Sequence, residues 1–177
     1  TSFLFSVEQL GLLALAYSIS AAPLTFLGTS LSRVFRQQVA EEYNKNGRCD
    51  ELFLKMLRKL VLYLTVPFIV IFFLSPILFE WIFGKQWIES GHIVQILICM
   101  FFFQFLARIL SYMYILTEHQ KENLYLQLLL LVSTISSFVI GFKIFNDFYI
   151  SLLLFSITYS IIYIYTVYKS YIYSKGY

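Results

Sequence analysis

The sequence predicts an all-α fold: a polytopic membrane helical bundle of five transmembrane helices plus the remnant of a sixth. Three observations predict it. Of 177 residues, 59% are hydrophobic and only 13% charged, and the mean hydropathy is +0.75, whereas soluble domains carry about 25% charged residues. Apolar residues come in long runs that suffice, as helices, to cross a hydrocarbon core about 30 Å thick. The runs lack the alternation of barrel strands, and a backbone in lipid must satisfy its own hydrogen bonds, which leaves helix. These values exclude a disordered chain, a nucleic-acid-binding arm and an ordinary water-soluble enzyme.

Thr1 to Val7 is an apolar run that reads as the end of a preceding, truncated span, and the chain as the C-terminal part of a larger membrane protein. The first full span covers 9–33. It is unusually polar for a lipid-facing helix, with Ser18, Ser20, Thr25, Gly28, Thr29 and Ser30, and Pro23 lies mid-span. Small residues let helices approach closely and hydroxyls can line a wet cavity, so gating beside a lumen and plain packing are both open. A cytoplasmic loop, 34–59, follows. Asn46-Gly47 reads as a turn, and Asp50 as the N-cap of a helix that runs through Leu52, Phe53, Met56 and Leu57 into the next span. The mixed charge of this segment reads as a solvated helical hairpin attracted to anionic headgroups, not as a nucleic-acid surface.

The second span covers 60–80 and contains Pro67 and Pro76; Trp81 and Trp87 beyond it read as interface anchors. The third covers 93–117, broken by Arg108. The fourth covers 123–142. The fifth, 148–169, is rich in tyrosine (Tyr159, Tyr163, Tyr165, Tyr168). Aromatic rings stack on sugar faces, but tyrosines from Tyr168 onward read better as an interfacial belt.

Alternating spans place Arg33, Arg36, Lys45, Arg48, Lys55, Arg58, Lys59, Lys121, Lys169 and Lys175 on one side and only Lys85 and Lys143 on the other. The positive-inside rule makes the basic side cytoplasmic, C-terminus included. A disulfide between Cys49, in a basic loop, and Cys99, in an apolar run, is not expected, and no signal peptide is visible.

Arg108 is the sharpest candidate. A central arginine costs about 2.5–3.5 kcal/mol on insertion scales, so it should face a bundle interior or an aqueous cavity. Gln104, Ser111 and Tyr112 fall at i−4, i+3 and i+4, giving four polar groups on one helical face. A guanidinium pairs bidentately with phosphate, which makes this face a candidate anion-binding site; the competing reading is an arginine that snorkels or caps carbonyls of a neighbouring helix. No cofactor is expected. His92 and His119 lie in different loops, and neither a P-loop nor a dinucleotide glycine pattern occurs.

Two stretches carry a resemblance. One is GLLALAYSISAAPLTFLGTSLSRVF (11–35), with its Gly, its Ala-Tyr pair and its mid-helix Pro. The other, more specific, is LFEWIFGKQWIESGHIVQIL (78–97), with Phe83, Gly84, Trp87, Glu89, Gly91 and Gln95. Both resemble the C-terminal half of polysaccharide biosynthesis transporters, the O-antigen and capsule flippases of the multidrug/oligosaccharidyl-lipid/polysaccharide superfamily, and the likeness extends over essentially the whole chain. The resemblance implies one lobe of a two-lobed, typically 12-helix fold around a central cavity, spanning the bacterial cytoplasmic (inner) membrane. It implies translocation of undecaprenyl-pyrophosphate-linked oligosaccharide repeat units by alternating access rather than an enzymatic reaction. It also implies membrane lipids as surroundings, and a polysaccharide polymerase and a chain-length regulator as partners. Phe83, Gly84 and Trp87 match the family pattern and read as structural. A multidrug exporter of the same superfamily, and a polymerase- or ligase-type membrane enzyme, are the alternative readings.

Overall fold

A computed structural model describes residues 6–176; the proposed remnant of a preceding span, Thr1 to Val7, lies almost entirely outside them. The chain is helical throughout the described residues: α1 Val7–Asn46, α2 Asp50–Phe83, a single tight turn at Lys85–Trp87, α3 Ile88–Leu110, α4 Met113–Leu116, α5 Gln120–Ile140 and α6 Phe148–Ser174. Five helical segments among these residues are long and apolar enough to cross a membrane, and the protein is a multi-pass membrane protein.

Local capping sets both ends of α1 and the start of α6. At the start of α1, the Ser6 hydroxyl accepts from the Gln9 N–H, and the Gln9 side chain accepts from the Ser6 N–H, so two otherwise orphaned donors are satisfied. α1 runs through Pro23 and ends where Gly47 adopts a left-handed conformation (φ +68°) and donates to the Tyr43 carbonyl. α6 starts on Asp147, whose carboxylate accepts from the N–H groups of Tyr149 and Ile150.

The segment 34–59, read from sequence as a cytoplasmic loop folded into a helical hairpin, is helical on both sides of a three-residue turn, and both arms are continuous with the spans. At 1.5 Å per residue the 40 residues of α1 span about 60 Å, far more than a bilayer core needs. The excess is held by an apolar inner face, Phe35 and Val39 on α1 against Phe53 on α2, all fully buried. The outer face is solvated and laced by one-turn contacts, Gln37 to Glu41 and Asn46 to Glu42. The turn itself differs from expectation by one residue. Cys49 is the N-cap position and Asp50 the first helical residue, its carboxylate drawn 3.3 Å from Arg48 Nε.

α3 is the hub, with α1, α2 and α6 packed around it and α5 on the far side of α6. The third span was expected to be continuous over 93–117. Its regular ladder ends at Leu110, because Tyr114 and Ile115 donate three residues back, to Ser111 and Tyr112, and tighten the chain before α4. Arg108 therefore occupies the last turn of α3, where a cation offsets the negative end of the helix dipole.

The two ends of the bundle are tied separately. At one end the Cys49 N–H donates to the Ser174 carbonyl at 2.7 Å, joining the hairpin tip to the end of α6. At the other, Ser90 donates to the Leu12 carbonyl and the Tyr149 phenol to Glu89 at 2.5 Å. The hairpin tip, the α4–α5 connection and the end of α6 thus share one end, as five crossings require.

The crossing of α2 and α3 explains the second sequence stretch. Pro76 has no N–H, so the Phe72 carbonyl one turn earlier lacks its helical partner. Gln95 supplies the missing donor at 2.7 Å, and its amide oxygen faces His92 Nδ1 at 3.1 Å. A Cβ added at Gly91 would lie 2.4 Å from Pro76 Cα, so only glycine lets the backbones meet. Gly84, at φ +99°, makes the reversal between the two helices.

Candidate functional site

The site is built around Arg108. Its aliphatic stem packs on α1, where a Cβ added at Gly28 would come 3.6 Å from Arg108 Cδ. Its guanidinium Nη1 donates to the Thr25 hydroxyl at 3.2 Å. Thr25 in turn donates to the Ala21 carbonyl one turn back, which leaves its oxygen lone pairs for the arginine. One turn before Arg108, the Gln104 amide donates to the Tyr163 phenol on α6 at 3.2 Å.

These side chains edge a cavity of about 300 Å³ between α3 and α5, floored by α6. Gln104, Arg108 and Ser111 line it from α3, Asn123 and Gln127 from α5, and Tyr163 from α6. Three of the four residues placed on one face by sequence spacing thus come together. Tyr112 does not, because the α3 ladder ends before it and its ring lies under Arg36, 5.3 Å from the guanidinium carbon. Sequence reasoning missed Asn123 and Gln127 as members of the site. The signal was available: they are two amides one helical turn apart in the first half of the fourth span, where only Tyr125 is also polar before the leucine run.

Arg108 is exposed in the cleft, and among the described residues no carboxylate lies within 4.0 Å of it. Gln127 is exposed beside it. Such groups are costly against hydrocarbon, so this face belongs to water or protein. The outer surface of α2 is the opposite: Leu62, Val66, Ile69, Phe73 and Ile77 project outward and suit lipid. An unpaired guanidinium with neutral hydroxyl and amide donors around it can hold an anion that the chain does not itself provide.

The sequence matches the family described as polysaccharide biosynthesis protein over residues 2–93, just over half of the chain. The chain belongs to this family. The match covers α1, α2 and the beginning of α3. It therefore includes Thr25 and Gly28, which seat Arg108, together with Gly84 and Gly91 at the α2–α3 crossing. Membership assigns this polysaccharide biosynthesis protein a role in the synthesis or transport of polysaccharide. No curated protein and no solved structure matches the sequence.

Proposed function

We propose that the protein is a flippase that moves undecaprenyl-pyrophosphate-linked oligosaccharide repeat units, such as those of O-antigen, capsule or exopolysaccharide, across the bacterial cytoplasmic membrane. In this reading the described helices form one lobe of a two-lobed transporter, and the lobes rock about the substrate to give alternating access. The observation that carries the proposal is the membrane-embedded Arg108, which has no carboxylate partner among the described residues and opens onto a polar cleft. A diphosphate matches it in charge and geometry. The family membership supplies the polysaccharide context.

Orientation follows from charge. The end formed by the hairpin, the α4–α5 connection and the end of α6 carries the ten basic residues named above, and the opposite end Lys85 and Lys143. We place the basic end, with the C-terminus, in the cytoplasm. Arg108 then lies in the cytoplasmic half of the membrane, where a lipid diphosphate made from cytoplasmic sugar nucleotides would enter.

The test is surface polysaccharide in cells whose only copy carries Arg108→Ala. Loss of surface polymer at normal membrane abundance is the expected result. Normal polymer overturns the proposal.

A further inference from the structure

The Arg108 cavity does not end at Gln104. A second cavity of about 390 Å³ adjoins it, and Gln104, Gln127, Leu130 and Tyr163 line both. Away from Arg108 the second cavity is bounded by Tyr17 of α1, Thr134 of α5 and Tyr159 of α6. From Asn123 to Thr134 the cleft follows eleven residues of α5, about 16 Å. Its character changes along that length. The Arg108 end is cationic, whereas the side chains lining the second cavity, among the described residues, are all uncharged.

The neutral groups are held in place. Tyr159 and Thr134 share a hydrogen bond of 2.6 Å between their hydroxyls. The Tyr159 and Tyr163 rings meet edge to face, 5.7 Å apart, and the Gln104 amide fixes the Tyr163 phenol. Tyr17 packs its ring on Phe101, 5.4 Å away, and remains open to the cleft. The wall thus presents amides, paired hydroxyls and ring surfaces beside the aliphatic Leu130, Leu131 and Ile135, with no charge. That combination suits a neutral polyhydroxyl ligand, whose hydroxyls need donors and acceptors and whose C–H faces lie against aromatic rings.

We infer that this second cavity is a sugar-binding track. It holds the first sugars of the lipid-linked substrate, pointing away from the basic end of the bundle, while Arg108 holds the diphosphate. The inference rests on the flippase reading above and adds to it a location and an orientation for the sugar. Arg108 supplies affinity common to any lipid diphosphate, and the Tyr17–Thr134–Tyr159 wall responds to the presence and nature of the sugar.

The test uses the protein in nanodiscs with three probes: undecaprenyl diphosphate bearing no sugar, one neutral hexose, or three. Affinity should rise with sugar number. Tyr17→Leu and Thr134→Val, which alter only the second cavity, should each remove up to about tenfold of that rise and leave binding of the bare lipid diphosphate unchanged. Arg108→Gln should weaken all three probes. If the bare lipid binds through Arg108 but sugars add nothing, or the rise survives both second-cavity variants, the track is overturned and the anion site stands. If the bare lipid does not bind the wild-type protein, both readings fall.

Discussion

Arg108 donates to the Thr25 hydroxyl across 3.2 Å, linking the last turn of α3 to the middle of α1. A hydroxyl is a neutral acceptor. It orients the guanidinium without cancelling its charge, so the cation stays available to a ligand. Replacing Thr25 by glutamate would complete an internal ion pair. We expect Thr25→Glu to keep the fold, with an unchanged or higher melting temperature, while weakening anion binding by roughly tenfold to a hundredfold, the size of a lost charge-assisted hydrogen bond. Full binding in Thr25→Glu would make Arg108 a structural residue.

The meeting of Pro76 and Gly91 predicts a different kind of defect. Gly91→Ala puts a methyl 2.4 Å from Pro76 Cα and should cost about 1–3 kcal/mol by overpacking. Gln95→Leu leaves the Phe72 carbonyl without its donor and should cost about 1–3 kcal/mol. Both should lower the melting temperature of the purified protein. A melting temperature matching wild type in either variant would contradict this account of the crossing.

Topology has a direct chemical test, though not through the native cysteine at the hairpin. Cys49 is buried, and burial, assisted by the nearby negative charges of Asp50 and Glu42, pushes its thiol up to about 11. The reactive thiolate is therefore scarce at neutral pH, and alkylation of folded protein should be slow at pH 8 and rise as the pH approaches 11. New cysteines in a cysteine-free background, at the exposed positions Arg48 and Lys85, report the two ends instead. A membrane-impermeant maleimide should label Lys85→Cys in cells with an opened outer barrier, and Arg48→Cys only after the inner membrane is permeabilised. Labelling of Arg48→Cys from outside would invert the orientation.

Much of the fold is written in hydropathy, because a span needs only length and a lack of charge; the five long helices follow from that alone. The hairpin was legible, but the unbroken continuation of α1 into it was not, because its charges, Arg33 to Lys59, mark the end of the lipid rather than the end of the helix. Phe35, Val39 and Phe53 continue the apolar face beneath them. Arg108 stood out as one charge in a long apolar run, and Gln104 and Ser111 joined it through simple helical spacing. Spacing failed at Tyr112, where the chain tightens after Leu110. It could not relate Thr25, Asn123, Gln127 and Tyr163 to Arg108, because they reach the site from other helices. Their convergence is a property of packing around α3.

The central claim is that Arg108 is an unpaired anion site within the membrane. The most direct measurement is the melting temperature of the purified protein in neutral detergent as inorganic pyrophosphate is added, for wild type, Arg108→Lys and Arg108→Gln. The account predicts a concentration-dependent rise in wild type, a smaller rise in Arg108→Lys, which keeps the charge but not the bidentate fork, and none in Arg108→Gln. An equal rise in Arg108→Gln, or no rise in wild type, would contradict it.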